Sequence, residues 1–232
     1  MQSRMRWYAV GLAMLVTAGA QMRPPRPRFD SVSRDRLCVT EGKIEETADH
    51  KLAVNVPKMR AYVLQQTPPG IEARFTYLGG TAKKSALGSG AMRQQFGLKL
   101  RAQDACNLVY VMWRFEPESE IVVSVKRNPG QHTSAQCGNR GYKNIKARDT
   151  LPVPTPQPDR VLNIWARMDG EELKVIMNNL VVWEGSVGPV DFDGPVGIRS
   201  DNVRLKMQLW SATPLESANQ PALGCKAGKG AD

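Results

Sequence analysis

Hydrophobic alternation of period two, tight-turn dipeptides and the lack of a long amphipathic helix predict an all-β protein. The alternation is cleanest near the end of the chain. Val203, Leu205, Met207 and Leu209 share one side of a run whose other side carries Arg204, Lys206 and Gln208. That period belongs to a half-buried antiparallel strand. The turns are Asp169-Gly170 and Asn178-Asn179, residue types that tolerate the positive φ of a tight hairpin. About ten to twelve short runs with turn punctuation indicate a β-sandwich or barrel.

In chain order, residues 1–20 read as a cleaved targeting segment. Arg4 and Arg6 precede an apolar run at residues 7–16, and Ala18-Gly19-Ala20 supplies a small-x-small cleavage pattern. The apolar run is too short to span a bilayer. Cleavage takes the net charge from +10 to +8, since the segment holds two arginines and no acidic residue. A secreted or periplasmic monomer with no transmembrane helix is expected, its length sufficient for one sizeable core. Residues 21–37 form a basic arm, with three prolines and three arginines between positions 22 and 28. Residues 38–212 carry the strand pattern, and residues 213–232 are a polar tail.

The basic balance points to an anionic partner such as acidic polysaccharide, cell-wall polymer or a membrane surface. Export argues against nucleic acid. The cysteines are Cys38, Cys106, Cys137 and Cys225, an even set in an exported chain, which predicts two disulfides with three possible connectivities. Cys38–Cys225 with Cys106–Cys137 is the expected pairing: the first ties the two chain ends, the second clips a loop beside the Cys106 strand. With no CxxC pair and two histidines, a zinc site is not expected.

Between these landmarks, residues 52–56, 61–65 and 71–78 read as strands, and residues 79–91 as a Gly/Ser/Lys/Ala loop. Residues 95–101 place Phe96, Leu98 and Leu100 on one face. Residues 107–115 and 121–127 read as a hairpin with Val109, Val111, Trp113 and Phe115 facing the core beside Val125, Val123 and Ile121. Residues 128–158 are a long irregular segment. In the meander at residues 160–185, taking Asp169-Gly170 and Asn178-Asn179 as central turn residues aligns Ile164, Val175 and Val182 across three strands. Leu162, Met177 and Leu180 align likewise.

An Asp-Gly hairpin, a strand ending in Val181-Val182-Trp183-Glu184-Gly185, the stretch Phe192-Asp193-Gly194-Pro195-Val196-Gly197-Ile198-Arg199-Ser200-Asp201-Asn202 and a final strand come together here. Their order resembles the end of concanavalin A-like lectin/glucanase domains. The nearest resemblance is to secreted bacterial jelly rolls related to 3-keto-disaccharide hydrolase and laminin-G-like domains. Glu41-Gly42-Lys43-Ile44, Leu52-Ala53-Val54 and Phe96-Gly97-Leu98-Lys99-Leu100-Arg101 extend it over residues 38–212. The resemblance implies a jelly-roll β-sandwich of two antiparallel sheets. That fold hosts lectins, glycosidases, lyases and structural modules, so it implies carbohydrate binding more than any reaction.

Glucanases of this superfamily carry catalytic acids in a Glu-x-Asp-x-x-Glu-like strand, and glycoside hydrolysis needs two carboxylates about 5–10 Å apart. The pattern is absent. Glu118 and Glu120 fall in a hairpin loop. Asp191 and Asp193 fall in a Gly/Pro-rich turn, where Asp serves the turn itself or, with backbone carbonyls, a Ca²⁺ ion; no other cofactor is expected. The types a polysaccharide lyase uses, a base, an acid and groups that neutralise a uronate, occur at His132, Arg140 and Tyr142 among Arg127, Asn128, Gln131 and Asn139. Their order matches no lyase motif, so a lyase or hydrolase at these residues is the alternative to binding. A structural or partner-binding envelope protein is a third reading. If Phe96, Leu98 and Leu100 point inward, Lys99 and Arg101 point outward with Tyr110, Arg114 and Lys126. That makes a basic stripe with one aromatic ring, suited to an acidic polysaccharide. Trp165 and Trp183 lie opposite the buried side of the meander, flanking Lys174, as a sugar platform or as packing under residues 128–158.

Overall fold

A computed structural model of the chain describes residues 28–213 and Cys225. The chain folds as a sandwich of two antiparallel sheets. The first half supplies β1 (Phe29–Ser31), β2 (Leu37–Glu41), β3 (Glu45–Glu46), β4 (Leu52–Val54), β5 (Lys58–Val63), β6 (Gly70–Gly80), β7 (Gln95–Leu100) and β8 (Leu108–Arg114). The second supplies β9 (Glu120–Lys126), the one-turn helix α1 (Ser134–Cys137), β10 (Tyr142–Ile145), β11 (Asp149–Thr150) and β12 (Val161–Asp169). The last strands are β13 (Glu172–Met177), β14 (Leu180–Ser186), β15 (Gly197–Asp201) and β16 (Val203–Ala212). A nine-stranded sheet runs β11-β14-β13-β12-β6-β16-β4-β3, with β1 also on β16; a seven-stranded sheet runs β10-β9-β8-β7-β15-β5-β2. Consecutive β15 and β16 sit in different sheets, so the tight link at Asn202 stitches the layers. Among the described residues no helix is long and apolar enough to cross a membrane.

The core lies between the inner faces. Phe75 and Tyr77 of β6 meet Phe96 of β7, Trp113 of β8 and Phe115 in ring contacts of 4.9–5.8 Å between centroids. Offset and edge-on aromatic contacts of this kind add to the burial of area. The Trp113 indole donates to Ser119 Oγ at 2.8 Å, so its one polar atom is satisfied.

In the β8–β9 hairpin the expected residues face the core, but Val109 stands opposite Val125, Val111 opposite Val123 and Trp113 opposite Ile121. Arg114 pairs with Glu120, so the connecting loop is residues 115–119 rather than 116–120. Both expected disulfides are present, Cys38–Cys225 and Cys106–Cys137. The targeting segment and most of the polar tail lie outside the described residues.

Four further expectations need correction. In the meander, Asp169 pairs with Glu172, so Gly170 and Glu171 are the central turn residues. Val175 therefore faces Ala166 rather than Ile164. On the other side of β13 a bulge at Val175/Ile176 sets Val175 opposite Trp183, and Val182 and Trp183 are both buried. Trp183 is core, and only Trp165 stays on the outer face. The irregular segment contains α1, β10 and β11, and β10 extends the seven-stranded sheet along β9. Phe29–Ser31, expected in the basic arm, pair with β16 as β1.

Candidate functional site

The strand β7 is buried on both faces, so the outer side of the seven-stranded sheet is covered. Two loops cover it. Residues 81–94 are held by Asn202, whose Oδ1 accepts from the Ser85 amide at 2.8 Å while its Nδ2 donates to the Ser85 and Arg93 carbonyls at 2.9 Å. Asn202 sits at φ 56°, where Asn is among the few side chains tolerated. Residues 128–141 are fastened by Cys106–Cys137 and by Asn107, which donates to the Gln131 carbonyl and accepts from the Asn128 amide. A Thr133/Gln136 capping box closes the start of α1 within this loop. The loops meet where a Cβ on Gly88 would lie 2.7 Å from the Asn139 side chain.

Between loops and sheet lies a cleft of about 270 Å³. Tyr110, Tyr142, Lys126, Arg60 and Arg199 form its base and one flank, Lys58 and Glu41 one end, and Leu87, Gly88, Ser134, Gly138 and Asn139 the loop side. Cross-strand register explains the convergence. Tyr142 of β10 faces Lys126 of β9, and Tyr110 of β8 faces Lys99 of β7. In the next row Met112, Gly97, Arg199, Arg60 and Glu41 run across β8, β7, β15, β5 and β2. Gly97 leaves room in that row: a Cβ there would lie 2.3 Å from Met112 Sδ and 2.6 Å from the Val111 carbonyl oxygen.

Beneath the cleft is a buried ionic network. Asp201, fully buried, accepts from Arg60 at 2.6 Å, Arg199 Nε at 2.9 Å and Gln95 Nε2 at 2.6 Å. Burial alone would raise its pKa, but Arg199, Arg60 and the Gln95 amide outweigh that and hold the carboxyl below the usual range. Burial likewise disfavours the Arg199 cation, and Asp201 with the two tyrosines raises its pKa above the ordinary value nonetheless. Arg60 also donates to the Met59 and Ser200 carbonyls, which fixes its plane.

The tyrosines sit on this charged base. Their rings stack with centroids 6.1 Å apart and 23° between planes. Arg199 lies 5.2 Å from the Tyr110 centroid, and Lys126 Nζ 5.1 Å from that of Tyr142. Lys126 Nζ also donates to the Ala105 carbonyl at 2.9 Å. Burial pushes the Tyr142 phenol up to about 12, helped by Tyr110 and opposed by Arg199, so the hydroxyl stays protonated at neutral pH. Tyr142 as a whole residue is still 41 % exposed.

The structure thus brings together Tyr110, Lys126 and Tyr142 from the sequence-predicted set, whereas Lys99, expected on the outward stripe, is buried opposite Tyr110 and does not line the cleft. It does not bring His132 or Arg140 into the cleft. The His132 ring pairs with Asp104 at 2.8 Å on the outer side of the clipped loop, and Arg140 turns back onto the Gln136 and Cys137 carbonyls. Arg114 shares the sheet face but pairs with Glu120 at 2.6 Å, away from the cleft. Arg101 is off the stripe, because β7 ends at Leu100 and φ at Arg101 is 48°. Its guanidinium reaches the Gly170 carbonyl instead. The Asp191 carboxylate takes both Nε and NH2 of Arg127, and Asp193 accepts from Gln66, so the two acids point to different partners. Among the described residues no group of three or more His, Cys, Asp or Glu is placed to hold a metal ion.

Sequence reasoning missed Arg60, Arg199 and Asp201. A signal for the last two was available: charged residues two apart on a strand with a buried inner side share the outer face. Arg60 comes from 141 positions away and has no such signal.

No family model and no curated protein matches the chain. Among solved structures it is similar to the carbohydrate-binding module CBM66 from Bacillus subtilis, at 13% identity over 77% of this chain and 94% of that chain, with a TM-score of 0.52. The Caenorhabditis elegans galectin LEC-6 aligns at 12% identity over 78% and 99%, TM-score 0.42. Domain 4 of AbnA, a GH43 extracellular arabinanase from Geobacillus stearothermophilus, aligns at 10% over 76% and 82%, TM-score 0.42. The likeness to the first shows the fold: the chain is a two-sheet antiparallel jelly-roll sandwich.

Proposed function

We propose that this protein binds carbohydrate, specifically an acidic polysaccharide, in the cleft on the outer face of the seven-stranded sheet. The observation that carries the reading is the convergence of Arg60, Arg199, Lys126 and Lys58 on a stacked tyrosine pair, with Glu41 as the acidic residue among the lining groups. A sugar ring presents an apolar face to an aromatic plane, and a uronate or sulfate finds a positive field. The cations need no free hydrogen bond for this. Their summed charge acts through a low-dielectric wall, and Asp201 and Glu41 offset it in part. The structural similarity to a carbohydrate-binding module supports the general class. Among concanavalin A-like jelly rolls, residues 181–202 favour kinship with the 3-keto-disaccharide hydrolase and laminin-G-like branch.

Export belongs to the same reading. It is supported by residues 1–20 and by two disulfides, which persist in oxidising compartments. A mature N-terminus at Gln21 would bear it out, and a retained segment would reverse it. A glycan-processing enzyme would need His132, Arg140 and Tyr142 in one groove, and of these only Tyr142 lines the cleft.

Affinity electrophoresis in gels containing polygalacturonate, alginate or heparin tests the proposal. Retardation is expected, weakening as salt rises because the attraction is ionic. Tyr142→Ala, at a half-exposed site, is expected to weaken it about tenfold, or about 1.4 kcal/mol. Normal migration of the wild-type protein in all three gels would overturn acidic-glycan binding. Release of reducing ends or unsaturated product would favour an enzyme.

A further inference from the structure

The nine-stranded sheet also has an outer face, and a groove of about 1220 Å³ crosses it. Cross-strand register lays one row along the groove: Ser31, Trp210, Glu72, Trp165, Ile176 and Val181 on six adjacent strands. Trp210 and Trp165 therefore flank Glu72, two interstrand spacings or about 10 Å apart. Trp113 and Trp183 are buried, whereas Trp165 and Trp210 remain partly exposed. Phe29 meets Trp165 edge-on at 6.3 Å and steadies it. The flanking polar groups are Arg74, Asn163 and Asn178, and Glu72 accepts from Asn163 Nδ2 at 2.6 Å.

We propose that this groove is a second glycan site, separate from the cleft, which takes an uncharged extended polysaccharide chain lying across the strands. Three features select that occupant. Two indole faces about two sugar rings apart suit alternate rings of one chain, since each pyranose offers an apolar face. Amide, carboxylate and guanidinium groups between and beside the indoles match hydroxyls, which both donate and accept. Glu72 offsets Arg74, and Arg167 lies 3.8 Å from Asp169, so the groove lacks the concentrated positive charge of the cleft and gives an anionic chain little advantage. An open groove of this length fits an oligomer better than a single small ligand. With both sites filled, one molecule would bridge two glycan chains from opposite faces of the sandwich.

Affinity electrophoresis of the full chain in hydroxyethylcellulose, xyloglucan and mixed-linkage β-glucan, at salt high enough to screen the cleft, tests this. At least one neutral gel is expected to retard the wild-type protein. Trp165→Ala/Trp210→Ala should abolish that retardation and keep retardation by polygalacturonate at low salt. Tyr142→Ala should do the reverse, so failure of the cleft proposal and failure of this one are distinguishable. Because strand substitutions can disturb folding, Trp165→Phe/Trp210→Phe serves as the milder pair, expected to bind with intermediate strength at unchanged circular dichroism. Normal migration of the wild type in all three neutral gels, or equal retardation of the double alanine variant, would overturn the proposal. So would a sedimentation-defined dimer lost in the double variant, since a second copy would then be the occupant.

Discussion

Asp201 shows how one buried residue holds the cleft base together. Its carboxylate is shared by Arg60, Arg199 and Gln95, and Arg199 in turn lies against Tyr110. Removing one partner of a buried ionic group strands the others without compensation, at about 3–5 kcal/mol. Asp201→Asn is therefore expected to destabilise the protein by about 3 kcal/mol at neutral pH, read from guanidinium unfolding. The pH dependence follows from the depressed folded pKa of Asp201. Its contribution is fully present above the unfolded carboxylate value of about 3.9 and is lost as pH falls through the lower folded value. The stability gap between wild type and Asp201→Asn should thus close at acid pH and stay constant above about pH 5. A gap that is independent of pH would remove Asp201 from the acid response.

At the scale of elements, the row through β8, β7, β15 and β5 depends on Gly97. Gly97→Ala is expected to cost about 1–3 kcal/mol through overpacking against Met112 and the Val111 carbonyl, and to weaken acidic-glycan binding by displacing Arg199. Unchanged thermal unfolding and binding would show that the row has slack. The elements also explain what was legible in the sequence. The facing of the β8–β9 hairpin was readable because two alternating runs flank a short loop, but a register slip of two residues keeps the same faces, so the alternation left the pairing two residues off. Asp169-Gly170 marked a turn correctly but placed its centre one residue early; Gly170, at φ 58°, is its first central residue. Trp183 was misread because a bulge reverses the facing of every residue beyond it, and bulges leave no trace in hydrophobic period. The strand β10 was invisible because Tyr142, Lys143 and Asn144 show no apolar alternation; its place follows from backbone pairing to β9. The cleft was half legible: Tyr110 and Lys126 follow from strand facing, while Arg60 enters by tertiary pairing alone.

Over the whole molecule, the two disulfides close loops of different length and should do different work. Cys38–Cys225 spans 187 positions and ties the described end of the chain to β2, an edge strand of the seven-stranded sheet. Cys106–Cys137 spans 31 positions and fastens the loop that forms one side of the cleft. In the chain-entropy account, stabilisation grows with the logarithm of loop length, giving about 5 kcal/mol for the long closure and about 3–4 kcal/mol for the short one. The ranking for binding is reversed, because only the short bridge orders Ser134, Gly138 and Asn139 against the tyrosine pair. Cys38→Ser/Cys225→Ser should therefore lose more stability in guanidinium and keep its retardation by polygalacturonate. Cys106→Ser/Cys137→Ser should lose less stability and most of that retardation. If the two variants rank in the same order for stability and for binding, the short bridge stabilises the fold without shaping the cleft, and the clipped loop has no part in holding the glycan.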